Sequence, residues 1–143
     1  MATLSIKNID RCLGRLNKIS DVNINESVKQ ATTFVHAQAK ALAPVSTGAL
    51  ASSIHMDVKN SGKTIEGRVY TNLQYAPYVE FGTGIRGNGS YPYTLKDIKL
   101  EYKDNWQGMN AQPYMYSALK RSEKYITEMI KKFLNDNIDK SCK

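Results

Sequence analysis

Residues 75–84 read Tyr-Ala-Pro-Tyr-Val-Glu-Phe-Gly-Thr-Gly, an aromatic segment that is stiff at its start and flexible at its end. Pro77 fixes its own φ and disfavours helical angles at the preceding residue, whereas Gly82 and Gly84 reach backbone angles that other residues avoid. The aromatic rings are expected to pack against other residues, and the carboxylate of Glu80 needs a hydrogen-bond partner or water. We therefore expect this segment to set the direction of the chain around it.

The composition is that of one globular domain. The chain has 143 residues, of which 41% are hydrophobic. A domain of this length buries roughly two-thirds of its unfolded surface without metals or disulfides. No apolar run approaches the roughly 18 residues that span a bilayer. We expect a single domain over residues 1–143 and no membrane partner.

The charge balance favours acidic partners without identifying one. Lysine and arginine exceed the acids by 20 to 13, which gives a net charge of +7. Such a balance suits nucleic acid among other partners. The basic residues are scattered along the chain, however, and no run resembles a nucleic-acid-binding arm. A solvated, lysine-rich surface is the preferred interpretation, and a basic nucleic-acid-binding module stays open as the alternative.

Periodicity predicts two helices in the first part of the chain. Apolar residues recur every three or four positions over residues 6–16 and again over residues 28–42. Between them, residues 21–25 read as a break. We expect a first helix within residues 1–22 and a second helix that Pro44 ends.

Alternation then predicts a β-hairpin. Residues 54–58 and 65–71 alternate between apolar and polar side chains, and Asn-Ser-Gly-Lys at 60–63 is good turn chemistry. Gly67 in the second strand indicates a bulge or the close approach of another backbone. A short helix is expected at residues 77–81.

The rest of the chain consists of a long loop region and a long helix. Residues 84–112 are polar, aromatic and rich in glycine, with a short strand expected at 98–102. Trp106 is an anchor against a partner or against the domain's own surface. A broad apolar stripe over residues 115–134 predicts a helix with a proline in its first turn, followed by a polar tail at 136–143. The predicted class is α+β, with a small antiparallel sheet built on the hairpin and packed against two N-terminal helices and a long C-terminal helix.

No pattern indicates a cofactor or a metal. The glycines of residues 82–87 match the spacing of a dinucleotide-binding loop, but such a loop opens a helix whose N-terminus holds the pyrophosphate. Residues 88–92 read Asn-Gly-Ser-Tyr-Pro, which does not allow that helix. Two histidines without a cysteine cluster do not supply an ordinary transition-metal site. We expect neither a cofactor nor a metal.

Candidates for catalysis are few. His55 lies beside two serines on a predicted strand, where successive side chains point to opposite faces. Glu80 is a lone acid, which can pair with Arg68 or Arg86 or cap the backbone of a neighbouring subunit. A structural role is preferred at both places, so we expect no enzyme.

Three separated segments together resemble one known family. Residues 43–54 read APVSTGALASSI, residues 75–83 read YAPYVEFGT, and residues 111–119 read AQPYMYSAL. In order and spacing they are similar to the head–tail joining (neck, tail-completion or tail-component) proteins of tailed double-stranded DNA bacteriophages and prophage-derived particles. Ser46 stands where the family usually has Asp, and Ser117 where it has a second proline, so the features tied to those residues are not carried over.

The resemblance implies a small α+β structural subunit without catalysis. Copies of it would form a homo-oligomeric ring at the neck, with a hexamer favoured and a twelve-subunit ring as the alternative. Its neighbours would be the head connector and the tail-tube or tail-terminator proteins, with non-specific contact to DNA in the channel. Its location would be the neck or tail of the virion, after assembly in the cytoplasm of the bacterial host.

The candidate residues belong to the subunit interface or to the structural motif itself. They are Pro44, Thr47, Gly48, Tyr75, Tyr78, Glu80, Phe81, Gly82, Thr83, Arg86, Trp106, Pro113 and Tyr114. Tyr75, Tyr78 and Phe81 are expected to pack under the last helix. Glu80 is expected to be a structural carboxylate, paired within the fold or across a subunit boundary.

Overall fold

The structure, a computed structural model, describes the backbone of residues 9–46 and 48–142 and the side-chain surroundings of residues 24–46 and 48–138. Its elements, in chain order, are α1 (Ile9–Leu42), α2 (Ala49–Ser52), β1 (Ile54–Asn60), β2 (Ile65–Thr71), α3 (Ala76–Phe81), α4 (Gly84–Gly87) and α5 (Met115–Cys142). The predicted α+β class, with its hairpin, N-terminal helices and long C-terminal helix, is confirmed.

Helix α1 is continuous, and the break predicted at residues 21–25 is wrong. That segment reads Asp-Val-Asn-Ile-Asn and contains neither proline nor glycine. Its residues cost a helix at most about 0.7 kcal/mol each relative to alanine, which helical turns on both sides outweigh. The helix expected within residues 1–22 is therefore part of α1 from Ile9 onward, and residues 1–8 lie outside the described residues.

Two compact units make up the chain. The first comprises residues 1–33, 57–68 and 123–143, and the second comprises residues 34–56 and 69–122. The single domain expected over the whole chain stays a prediction.

In the first unit, Thr32 of α1 lies against Gly67 of β2. The Thr32 side chain is buried, and its hydroxyl donates to the carbonyl oxygen of Val28 at 2.7 Å. A Cβ added to Gly67 would meet Thr32 Oγ1 directly. The close approach anticipated at this glycine is therefore made by a side chain and not by another backbone.

The hairpin follows its prediction. The Ser61 N–H donates to the Thr64 carbonyl oxygen at 3.0 Å, and the Gly62 N–H donates to Asn60 Oδ1 at 2.8 Å. The predicted turn residues thus close the turn with their own polar groups. Within the described part of the chain, the sheet consists of β1 and β2 alone.

In the second unit, a core of mainly small side chains joins segments from five elements. Its apolar members are Val35, Ala39, Ala43, Leu50, Ile54, Ala76, Tyr114 and Ala118. His36 Nε2 lies 2.9 Å from the carbonyl oxygen of Ile54, which ties α1 to the start of β1. His36 is accordingly a packed histidine that makes a structural hydrogen bond.

Two further expectations differ from the structure. Residues 98–102, where a short strand was expected, are irregular. Helix α5 continues to Cys142, through the segment 136–142 that the sequence set apart as a polar tail. That segment contains no glycine or proline, so its polarity alone does not end the helix.

Candidate functional site

Glu80 of α3 caps the start of α5. Its Oε2 accepts hydrogen bonds from the N–H groups of Tyr114 and Met115 at 2.8 and 3.0 Å, and its Oε1 accepts one from the Tyr116 N–H at 3.0 Å. The first N–H groups of an α-helix have no partner within the helix, and the positive end of the helix dipole favours an anion there. Glu80 is only 6% exposed, so these charge-assisted bonds replace water around the carboxylate.

Neither of the two arginines considered as partners of Glu80 pairs with it in the part of the chain that the structure describes. Arg68 pairs with Glu66 of its own strand, Nη2 to Oε2, at 3.0 Å. The Arg86 N–H donates to the Gln107 carbonyl oxygen at 2.9 Å, and its side chain is exposed. Of the two alternatives left open for Glu80, the geometry corresponds to the carboxylate paired within the fold.

The segment before α5 is brought alongside α3 by the backbone. The Gln112 N–H donates to the Val79 carbonyl oxygen at 2.8 Å. Pro113 follows, and α5 begins at Met115, so the proline precedes the helix instead of occupying its first turn. Tyr114 is 1% exposed and belongs to the core of this unit.

Glycines after α3 allow the loop region to fold back against it. Thr83 and Met109 form an antiparallel bridge, in which each N–H donates to the other's carbonyl oxygen at 2.9 and 3.0 Å. Gly82 has a φ of 77°, and a Cβ added there would lie 2.6 Å from the backbone nitrogen of Ala111. Close backbone approach explains these glycines, whose spacing only coincides with that of a dinucleotide-binding loop.

Aromatic side chains of the loop region pack on the end of α3 and the start of α5. The Phe81 and Tyr91 rings meet edge-on at 5.1 Å, and Tyr93 lies 5.6 Å from Tyr91 and 4.6 Å from Tyr116. The Tyr102 hydroxyl donates to the Phe81 carbonyl oxygen at 2.9 Å. Sequence reasoning did not single out Tyr91, Tyr93 or Tyr102, and the aromatic content of the loop region was the only signal for them.

Tyr75 and Tyr78 do not pack under the last helix as expected. They are 45% and 60% exposed, whereas Phe81 is half-buried. The buried residues of α3 are Ala76 and Glu80, which lie four positions apart on one face. That face is directed to the core, so both tyrosines are left on the outer surface.

An open cavity of about 230 Å³ lies next to Tyr75. All three segments that carry the family resemblance contribute to its lining, with Pro44, Ser46, Leu50, Tyr75, Val79 and Gln112, and Met109 of the loop region completes it. Val45, between two lining residues, is 85% exposed. Gly48 precedes α2 with a φ of 74°, and Thr47 lies outside the described residues.

Trp106 has a fixed backbone and an exposed side chain. Its carbonyl oxygen accepts a hydrogen bond from the Ile85 N–H at 2.9 Å, while the residue is 57% exposed. More than half of this residue is therefore left uncovered by the domain's own surface.

The electrostatics of the cap extend to two tyrosines. Burial and, after it, the nearby charge of Glu80 raise the pKa of Tyr114 to about 12. Burial and then Glu80 likewise raise the pKa of Tyr91 to about 12. Desolvation and a neighbouring negative charge both oppose formation of a phenolate.

The candidate catalytic residues His55 and Ser53 contact different partners. The His55 and Tyr70 rings lie 5.9 Å apart, and the Ser53 and Thr71 hydroxyls share a hydrogen bond of 2.7 Å. In the described ranges, no group of three or more His, Cys, Asp or Glu residues is placed to hold a metal ion. Nor is any helix of those ranges long and apolar enough to cross a bilayer.

Replacing Glu80 by glutamine tests the cap. Glutamine keeps one acceptor oxygen, but its amide group turns a donor toward the remaining N–H groups of α5. We expect Glu80→Gln to lower the free energy of unfolding by about 1–3 kcal/mol in denaturant titrations. Glu101→Gln, which makes the same change at an exposed position, is the control and should leave stability unchanged. Equal stability of the two variants would show that the cap contributes nothing.

The raised tyrosine pKa values predict a loss of stability in alkali. Tyr114 and Tyr91 ionise near pH 10 in the unfolded chain and near pH 12 in the folded protein. The two neutral tyrosines make their full contribution to the free energy of unfolding below pH 10. That contribution is lost as the pH rises to about 12, because between these values only the unfolded chain releases the tyrosine protons. Denaturant titrations from pH 9 upward should show this decline. The decline should be smaller in Tyr114→Phe; an identical profile in that variant would contradict the assignment.

A family model places the chain among known proteins. The model of the HK97-gp10-like family, described as "Bacteriophage HK97-gp10, putative tail-component", matches residues 6–82. No curated protein and no solved structure matches the chain. The matched range covers more than half of the chain and contains the cavity-lining Pro44 together with all of α3. The chain therefore belongs to the HK97-gp10-like family of bacteriophage tail components.

Proposed function

We propose that this protein is a structural subunit of the head–tail joint of a phage or phage-like particle. In this role, copies form a ring at the neck between the head connector and the tail tube and catalyse no reaction. Membership of a tail-component family supports the general role. The observation that carries the finer proposal is the set of large aromatic side chains exposed on the second unit, on backbone that is fixed by hydrogen bonds.

These side chains have the properties of interface anchors. Tyr78 and Trp106 are 60% and 57% exposed. Aromatic residues of this kind are enriched at protein interfaces and dominate their binding energy. The backbone of Tyr78 is part of α3, which the Glu80 cap holds, and the Trp106 carbonyl is bonded to Ile85. Anchors on fixed backbone lose little conformational entropy when a partner covers them.

A ring also needs two unlike surfaces that fit each other. Subunits of a closed ring join head to tail, so a convex feature on one copy meets a concave feature on the next. The second unit offers both kinds, since the exposed rings are convex and the cavity beside Tyr75 is concave. A hexamer is the favoured ring, a twelve-subunit ring is the alternative, and connector and tail-tube or tail-terminator proteins are the expected neighbours.

The positive charge supports a secondary contact with DNA. A net charge of +7 attracts phosphate without sequence preference, as suits a protein that surrounds a DNA channel. A dedicated nucleic-acid-binding module has less support, because the basic residues are spread along the chain instead of forming one cluster.

Loss of an anchor should weaken the ring. We expect Tyr78→Ala and Trp106→Ala each to weaken self-association by about tenfold or more, as truncation of an interface hot spot does. Native mass spectrometry measures the oligomers, and electron microscopy of particles shows where the protein lies. Leu134→Ala, which removes an apolar side chain that is 37% exposed on α5, is the control. A protein that stays monomeric and never associates with particles would contradict the proposal.

A further inference from the structure

We infer that strand β2 pairs, antiparallel and edge to edge, with β2 of a second copy of this chain. The sheet has two strands, so each strand has one edge without a neighbouring strand among the described residues. Such an edge presents backbone donors and acceptors to another chain, and a two-stranded sheet is marginally stable by itself. This contact goes beyond the proposed ring, whose subunits join through unlike surfaces, because here the same surface is used by both copies.

The hairpin turn determines which backbone groups face the open edge of β2. The Ser61 N–H donates to the Thr64 carbonyl oxygen. Antiparallel pairing alternates from that bond along the ladder, so Glu66 and Arg68 bond toward β1. The alternate residues Ile65, Gly67 and Val69 direct their N–H and C=O groups away from β1, toward the open edge of β2. When Gly67 of one copy lies opposite Gly67 of the other, these backbone groups of the two copies can form hydrogen bonds with each other.

In this register the charges of the two strands are complementary. Glu66 of one copy lies opposite Arg68 of the other, and a two-fold axis at Gly67 repeats the pair. Both side chains are about half exposed, and within one strand they form an ion pair of 3.0 Å. Opposite charges at facing positions of an antiparallel pair attract, and their side chains come closest where the backbones are not bonded to each other.

Two other registers of the same edge are less favourable. A two-fold axis at Glu66 places two glutamates opposite each other, and an axis at Arg68 places two arginines opposite each other. With the axis at Gly67, Ile65 faces Val69 of the other copy, and such β-branched pairs suit a strand. Gly67 itself is no argument for pairing, because the approach of Thr32 already accounts for it.

The edge of β1 is less suited to the same contact. Self-pairing there would require Asp57 of one copy to face Lys59 of the other. The Oδ1 atom of Asp57 is buried, so that carboxylate is not fully presented to a neighbour. On β2, both charged side chains are exposed. Charge complementarity therefore favours β2 as the strand that makes the contact, and it favours a second copy of this chain as the partner.

Charge reversal tests the pairing between copies. Glu66→Arg makes both charged positions of β2 positive, and Arg68→Glu makes both negative. Each variant alone then opposes like charges, which should weaken pairing by about tenfold, whereas an equal mixture of the two restores opposite charges at both positions. Native mass spectrometry of the mixture should show mixed pairs in preference to pairs of either variant. Circular dichroism and denaturant titrations confirm that each variant is folded.

Lys99→Glu, which reverses the charge of an exposed side chain outside the sheet, is the control. It should leave pairing unchanged, and the amides of Ile65, Gly67 and Val69 should exchange more slowly as the concentration of the unmodified protein rises. The inference fails if the charge-reversed variants pair as the unmodified protein does, if the mixture shows no preference, or if Lys99→Glu weakens pairing as much as the reversals on β2 do. A closed ring unaffected by either reversal would overturn this inference and leave the proposed ring intact, whereas pairs without a ring would support the inference and count against the ring.

Discussion

Three hydrogen bonds to one buried carboxylate hold the second unit together. They join Glu80 to backbone groups that lie 34 to 36 residues later in the chain. Without the carboxylate, the first N–H groups of α5 would lose their partners in surroundings that offer little water, at a cost of about 1–3 kcal/mol for each unsatisfied group. The cap also fixes the rotation of α3, since Glu80 and Ala76 form its buried face. The positions of α3 and α5 are thus coupled through a single side chain.

The other features of this unit follow from that coupling. With Ala76 and Glu80 directed inward, Tyr75 and Tyr78 are directed outward, where one lines the open cavity and the other is available for contact. The glycines after α3 let the loop region return closely enough for Thr83 to bond with Met109. The most distinctive residues of the chain therefore serve the fold, and what they present to the outside is a set of exposed aromatic side chains. Such side chains suit a subunit that functions by contact.

The sequence predicted what depends on local patterns and missed what depends on distant partners. The hairpin, α3 and α5 follow from alternation, a proline and an apolar stripe, all of which act over a few residues. The break at residues 21–25 was wrong because the small helix-propensity costs of Asp, Val, Asn and Ile, in a segment without proline or glycine, did not end this helix. Local patterns could predict neither the orientation of Tyr78 nor the partner of Glu80. The groups that donate to this carboxylate lie at the start of α5, and no residue near Glu80 in the sequence indicates them. The need of the carboxylate for a partner was visible in the sequence, but the identity of that partner was not.

Hydrogen exchange at the start of α5 tests the central claim most directly. The amides of Tyr114, Met115 and Tyr116 lie where an uncapped helix exchanges readily, because it has no internal acceptors for them. If Glu80 binds them, nuclear magnetic resonance of the unmodified protein should show exchange as slow as that of amides in the interior of α5. The same amides should exchange faster in Glu80→Gln while those in the middle of the helix change less. Fast exchange at all three positions in the unmodified protein would contradict the account.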